Sequence, residues 1–140
     1  MNTEINWNDF QDIAQRIKSA IRYATDLQAQ EVWGNLMENS PQKHGRLAGS
    51  WKLNQQGDMM YMIGTSVAYA AVMNDGSDPY EIFPRNASAL RFEIGGQVIF
   101  AKRVKHPGIR GTGYIDRSIE QAENRGQAFI EMALDSEGLP

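Results

Sequence analysis

The sequence predicts an α+β fold, in which a long N-terminal helix packs on a small antiparallel β-sheet and a short helical segment follows. Three observations predict it. Apolar residues recur every three or four positions near the start, alternating patterns flank turn residues in the middle, and a second helical pattern lies near the end. The order helix, strands, helix is typical of the α+β class, and 140 residues favour a single domain over 1–140.

The first predicted element is a helix over residues 7–39, with Asn6 or Asn8 as its cap and Asn39-Ser40-Pro41 as its end. A helix of this length measures about 45–50 Å, which exceeds a domain of this size, so part of it is expected to contact another chain. A break near Ala24–Thr25 or near Gly34, which would give two packed helices, is the alternative. Its apolar positions are Trp7, Phe10, Ile13, Ile17, Ile21, Ala24, Leu27, Val32 and Leu36.

The middle of the chain, residues 46–104, is predicted to be rich in β-structure. Strands are expected near 50–55, 59–64, 80–84, 90–94 and 98–104, and Gly95-Gly96 is a two-residue hairpin signal. A strand or a helical turn is expected at 69–73, a turn at 74–79 and a glycine-rich loop at 106–113. The segments 75–79 and 107–113 are expected to be mobile in the free protein. Two short helices, or one helix broken near Gly126, complete the chain over 114–135.

Composition excludes several classes of protein. The chain has no cysteine, which rules out disulfides and thiol catalysis and agrees with a cytoplasmic site of synthesis. The first residues lack the basic and apolar regions of a signal peptide. No apolar run approaches the roughly 18 residues that a membrane span requires.

Charge is distributed unevenly along the chain. Residues 1–40 carry three basic and six acidic side chains, residues 41–110 nine and five, and residues 111–140 two and six. A basic middle can contact nucleic acid, or it can receive the acidic ends of a neighbouring subunit. The isoelectric point near 5.4 favours the second interpretation.

Motifs of catalysis and of metal binding are missing, so the sequence predicts no enzyme activity, no cofactor and no metal. The chain has neither the G-x-S-x-G nucleophile elbow of hydrolases nor a P-loop, and residues 108–113 do not follow the G-x-G-x-x-G spacing. No acidic residue stands two positions before a lysine, a pattern that metal-dependent nucleases often need. His44 and His106 lie beside basic residues, which suits surface or interface positions better than metal ligands. Asp75 and Asp78 lack the spacing of a calcium loop and predict an ordinary turn.

The densest basic run consists of Lys102, Arg103, Lys105, His106 and Arg110. A solvated strand end, a contact with another subunit and a contact with phosphate are all compatible with it. The acidic residues that follow it, Asp116, Glu120 and Glu123, are candidate partners in a second copy.

Four patterns stand in order along the chain. They are P-x-x-x-G-x-L-x-x-S at 41–50, Y-A followed by G-[ST] at 69–77, I-x-P with A-L-x-F at 82–92, and V-x-H-P-G at 104–108. The ordered set resembles the small neck or tail-completion proteins of long-tailed bacteriophages, over residues 8–135. Family members often have Asp where Lys43 or His44 stands, and P-F-[LI] where this chain has Gly113-Tyr114-Ile115. These departures concern the subfamily and the contact geometry.

The resemblance implies a structural protein of the virion neck or tail, made in the host cytoplasm. Such a subunit forms a ring of six, or alternatively twelve, copies between head-closure proteins and tail-terminator or tail-tube proteins. DNA passes through its lumen without specific binding, and no membrane is involved. A nucleic-acid-binding module that uses residues 102–110 is the alternative.

Seven residues are predicted to form the structural part of these motifs. Leu47 and Trp51 are expected in the core beneath the long helix, because a lone leucine in a polar loop precedes a tryptophan on an alternating strand. Gly45 is expected to supply a special backbone conformation. The full set is Gly45, Leu47, Trp51, Tyr69, Gly76, Pro107 and Gly108.

Overall fold

A computed structural model describes residue 4, residues 6–42 and residues 45–140, and it confirms the α+β class. The helices of this part of the chain are α1 (Trp7–Asn39), α2 (Ala70–Asp75), α3 (Tyr114–Glu123) and α4 (Gly126–Ser136), with a 3₁₀ turn at Ala48–Ser50. Its strands are β1 (Lys52–Gly57), β2 (Met60–Gly64), β3 (Gly76–Ser77), β4 (Tyr80–Ile82), β5 (Leu90–Ile94), β6 (Gln97–Ala101), β7 (Val104–His106) and β8 (Ile109–Arg110).

Contacts within the chain group into two compact units. The first, here the helical unit, contains the residues up to Ala70 together with Tyr114–Pro140. The second, here the ribbon unit, contains Ala71–Gly113. A single domain over 1–140 stays a prediction.

Helix α1 is continuous, so the alternative of two packed helices is wrong. The Asn6 side chain caps its start by accepting a hydrogen bond from the Asp9 backbone N–H at 3.0 Å. At its end the Ser40 N–H still reaches the Leu36 carbonyl at 3.1 Å, and Pro41 then prevents continuation. Its buried residues, Ala20, Ala29 and Leu36, all lie from position 20 onward, and residues 7–18 are all exposed.

The core of the helical unit forms where the end of α1 meets the segment before β1. Leu47 is 2% exposed, and Trp51 is also buried, which confirms the sequence prediction. The Trp51 indole N–H donates to the Ser40 hydroxyl at 2.9 Å, and the Trp33 indole N–H donates to the Trp51 carbonyl at 2.9 Å. Gly45 has φ +67°, the left-handed conformation expected of it.

Helix α3 completes this core with Tyr114 and Ser118, both fully buried. The Tyr114 ring meets Trp51 edge-on at 6.3 Å, and its hydroxyl donates to the Ala70 carbonyl at 3.2 Å. Burial raises the pKa of the Tyr114 hydroxyl, which therefore remains a donor at neutral pH. The side chain of Asn39 donates to the Ser118 hydroxyl at 3.0 Å, which fixes α3 against α1.

The hairpin β1–β2 lies against the middle of α1. Leu53 pairs with Ile63, and the neighbouring Tyr61 donates its hydroxyl to Asp26 on α1 at 3.0 Å. At the turn, Arg22 donates from two nitrogens to the two carboxylate oxygens of Asp58, at 2.7 and 2.8 Å. This two-point contact ties the tip of the hairpin to α1.

The ribbon unit is built from nested antiparallel pairs: β5 with β6, β4 with β7, and β3 with β8. Together they form one long, interrupted hairpin whose tip is Gly95-Gly96. Two predictions are corrected here. The strand expected at 98–104 divides into β6 and β7, and the strands continue to Arg110, beyond the predicted limit of 104. The turn expected at 74–79 contains β3, and the glycine-rich loop expected at 106–113 contains the last residue of β7 and all of β8, because pairing across the ribbon satisfies their backbone groups.

Glycines allow the base of this ribbon to close. A β-carbon on Gly108, which has φ +86°, would lie 2.4 Å from the Ser77 carbonyl oxygen. A β-carbon on Gly76, which has φ +84°, would lie 2.6 Å from the carbonyl oxygen of Ile109. No side chain fits at either position, so the close approach of β3 to β8 depends on both glycines.

We expect Leu47→Ala to lower the free energy of unfolding by about 2–5 kcal/mol, because it leaves a cavity in the core beside Trp51. Urea titration followed by tryptophan fluorescence measures this change. Met60→Ala, at an exposed site, is the matched control and should cost much less. Equal losses for the two variants would contradict the placement of Leu47.

We expect Gly108→Ala to open the base of the ribbon, whereas Gly96→Ala is tolerated better. Both glycines have similar positive φ values, +86° and +82°, but only a β-carbon at position 108 meets backbone atoms. Amide hydrogen exchange at Ser77 and Ile109 reports the opening. If both variants accelerated exchange equally, backbone conformation rather than close packing would be the cause.

Candidate assembly surfaces

The basic run lies in the ribbon unit, at and beyond the end of β6. Lys102, Arg103, Lys105 and Arg110 are all exposed. Arg103 approaches Glu81 to 3.6 Å, a contact between side chains that solvent reaches freely. The ion pairs among described residues include none of Lys102, Lys105 and Arg110, which leaves these three charges open to an outside partner.

His106 has a structural position within the ribbon. Its ring stacks on Tyr80, with centroids 4.7 Å apart and planes inclined by 18°. Its Nδ1 accepts a hydrogen bond from the Gly108 N–H at 3.1 Å. This histidine therefore orders the turn at Pro107-Gly108 and is less available for an interface than its charged neighbours. His44 lies outside the described residues.

The acidic residues predicted as interface partners lie on α3, in the helical unit. Asp116, Glu120 and Glu123 are exposed, and Asp116 stands in the first turn of the helix, where its charge suits the helix dipole. A pairing between these residues and the basic run of a second copy stays a prediction.

The residues of the structural motifs occupy several different environments. Leu47 and Trp51 belong to the core of the helical unit, Gly45 is exposed in the turn before them, and Gly76, Pro107 and Gly108 lie at the base of the ribbon. Tyr69 is exposed at the surface, so it does not belong to the core of the helical unit.

A stripe of exposed apolar side chains runs along the first turns of α1. Its members are Trp7, Phe10, Ile13, Ile17 and Ile21, hereafter the α1 stripe, and Trp7 is 69% exposed. Trp7 and Phe10 stack with ring centroids 5.6 Å apart. The sequence contained the signal, since the helical period continues unchanged through residues 7–18, all of which are exposed.

An apolar groove of about 600 Å³ continues the α1 stripe toward the C-terminal end of the helix. Ala20, Ala24 and Ala29 line its floor, and Ile63 of β2 and Ile130 of α4 stand at its sides. Sequence reasoning missed this groove, because it requires three elements that are distant along the chain.

The tip of the ribbon also exposes apolar side chains. Val98 and Phe100 lie on the same face of β6, and Phe100 is 67% exposed. Arg91 and Glu93 stand opposite them on β5, so this face mixes apolar and charged groups.

Within residue 4 and residues 6–42 and 45–140, no group of three or more histidine, aspartate or glutamate side chains is arranged to hold a metal ion. Among the same residues, no helix has the length and hydropathy of a membrane span. No protein-family model, no curated protein and no solved structure matches the chain.

The Arg22–Asp58 contact should make stability depend on pH. Hydrogen bonds from Arg22 hold the pKa of the Asp58 carboxyl below its usual value. The contribution of this contact to the free energy of unfolding is therefore fully present above the unfolded-state pKa of Asp58, about 4. It is lost as pH falls through the lower pKa of the folded state. At neutral pH, the free energy of unfolding should be larger for the wild type than for Asp58→Asn.

That difference should shrink in acid and also in about 1 M salt, which screens an exposed pair. Urea titrations between pH 2 and 7 (roughly the range over which carboxyl groups titrate) measure it. A difference independent of both pH and salt would show that the contact contributes nothing through charge.

Proposed function

We propose that this chain is a structural protein of a tailed-bacteriophage virion, a neck or tail-completion subunit that forms a ring around the DNA channel. The observation that carries the proposal is the ordered set of motifs at 41–50, 69–77, 82–92 and 104–108. Leu47 of the first motif is a core residue, and Gly76 and Gly108 occupy sites where a β-carbon would meet backbone. The resemblance thus includes positions that this fold constrains strongly.

The ribbon unit supports an assembled state. Every residue from 71 to 113 is exposed or half-buried, and none is buried. A two-stranded ribbon with no core of its own is marginally stable in water, so neighbouring subunits are the natural source of its stabilisation. Such an element suits a protein that completes its structure in a larger particle.

The distribution of charge supports contact between copies. Lys105 and Arg110 present exposed positive charge, and α3 presents exposed negative charge at Asp116, Glu120 and Glu123. Complementary charge at the rim of an interface favours encounter and correct register more than affinity. A ring assembled through these groups should therefore form faster at low salt.

Binding of nucleic acid is the second candidate, and the exposed side chains of Lys102, Lys105 and Arg110 favour it. Phosphate contacts would make affinity for duplex DNA fall steeply with salt. A neck ring must instead let DNA slide, so tight binding in the lumen would hinder ejection. A dissociation constant below about 1 μM for duplex DNA at physiological salt would mean binding tighter than ordinary nonspecific binding. That result would favour the nucleic-acid-binding module.

We expect charge reversal in the basic run to block the joining of heads to tails. The phage genome would carry Lys105→Glu with Arg110→Glu, and lysates would be examined by electron microscopy. Filled heads and separate tails should accumulate, because the reversed charges repel the acidic α3 surface of the next copy. Arg85→Glu with Arg91→Glu, which changes the same charge at exposed positions of the same unit, is the matched control.

Circular dichroism of each purified variant checks that folding is intact. Normal particle yield from the Lys105→Glu, Arg110→Glu genome would exclude the charged interface. Normal yield from a genome that lacks the gene altogether would exclude the neck assignment itself.

A further inference from the structure

We propose that two copies of this chain associate through an antiparallel contact between their α1 helices, in which Trp7 and Phe10 of each copy enter the apolar groove of the other. The inference concerns the free protein and does not rest on the proposed function. It follows from three features of the helical unit: the α1 stripe, the adjoining groove, and the order of charges along α1.

The α1 stripe is too large to be an ordinary exposed surface. Five consecutive apolar positions on one helix face are each between 45% and 69% exposed. At about 150–250 Å² for an aromatic side chain, they present on the order of 500 Å² per copy. Contiguous apolar patches of several hundred Å² mark interaction sites on soluble proteins.

The groove complements the stripe in shape. The stripe begins with two aromatic side chains, whereas the floor of the groove is made of Ala20, Ala24 and Ala29, and Gly126 and Ala133 of α4 line it as well. Small residues leave room for a large one, so an aromatic side chain can fill a space that this copy leaves empty. Ile17 and Ile21 belong to both features, so one partner helix can cover the two together.

Charge determines the direction of the partner helix. The acidic residues Glu4, Asp9 and Asp12 all come before the basic residues Arg16, Lys18 and Arg22, without an opposite charge in either stretch. Within one copy Arg16 contacts Asp12 and Arg22 contacts Asp58, so Lys18 carries most of the positive charge that faces a partner. Packed helices lie about 8–10 Å apart, within about one Debye length at physiological salt. A parallel pair would place like charges side by side, whereas an antiparallel pair places the acidic start of one helix beside the basic stretch of the other.

The register follows from matching the stripe to the groove. With Trp7 opposite Ala24 of the second copy, Phe10 faces Ile21 and Ile13 lies near Ile17. The two-fold axis then passes between Gln15 and Arg16. The contact is reciprocal and closes at two copies. The stripe supplies on the order of 500 Å² of the roughly 800 Å² per partner that a standard interface buries, and the groove adds to it.

Analytical ultracentrifugation of the full chain tests the contact. Wild type should sediment as a dimer, and Phe10→Glu should raise the dissociation constant by about 30-fold or more, because a central aromatic is lost twice in a two-fold contact. Gln15→Glu, which adds the same charge on an exposed face away from the stripe, should leave the dimer intact. Unchanged far-ultraviolet circular dichroism shows that α1 still forms in each variant.

A wild type that stays monomeric at about 100 μM, well above the Kd of a standard interface, would overturn the proposal and leave another protein as the occupant. An equal effect of Gln15→Glu, or a larger assembly that Phe10→Glu does not weaken, would overturn it as well. None of these outcomes bears on head–tail joining, so they are distinguishable from failure of the neck assignment.

Cross-linking tests the direction, since the chain has no cysteine of its own. In the antiparallel register, two Ala14→Cys copies place their thiols within about 5 Å along the helix axis, whereas two Ala24→Cys copies are about 25 Å apart. A short bismaleimide should therefore cross-link the first variant and not the second. Equal cross-linking of both would mean a parallel pair, and cross-linking of Ala24→Cys alone would mean a different surface.

Discussion

The packing of the helical unit depends on the hydrogen bond from the Trp51 indole to the Ser40 hydroxyl. Ser40 closes the last turn of α1 by donating to the Leu36 carbonyl at 2.5 Å, and the same oxygen receives the indole N–H at 2.9 Å. One hydroxyl therefore fixes where the helix stops and where the first strand begins. The bond is buried, and Tyr114 meets the Trp51 ring edge-on, so the loss of either partner would leave an unsatisfied polar group in the core.

This arrangement concentrates packing at one end of α1. The C-terminal half of the helix meets α3, α4 and the β1–β2 hairpin, whereas residues 7–18 at its start are all exposed. A helix of 33 residues cannot bury its whole length against the few short elements that the rest of the helical unit provides. The surplus apolar surface is a direct result of helix length, and the ribbon unit adds a second region without a buried side chain.

Local signals in the sequence were sufficient for the elements that depend on neighbouring residues. Pro41 follows the end of α1 as predicted, Asn6 is the one of the two candidate caps that starts it, and Gly95-Gly96 set the register of β5 and β6. The base of the ribbon could not be found in this way, because Gly76 pairs with Arg110 across more than 30 positions. The stacking of His106 on Tyr80 and the three-element groove depend likewise on long-range contacts, for which periodicity carries no information.

The ribbon unit leaves the helical unit after Ala70 and returns to it at Tyr114, and these two residues are joined by a hydrogen bond of 3.2 Å. Next to this junction, the Thr112 and Gly113 N–H groups donate to the Met73 and Asn74 carbonyls at 3.0 Å. The ribbon unit is thus attached to the rest of the protein through two neighbouring stretches of backbone. Evolution can lengthen, shorten or replace it near the tip while the core around Trp51 stays the same, because loop closure costs little more for a longer insertion. Related proteins would then diverge most between β5 and β6, and keep both glycines at the base.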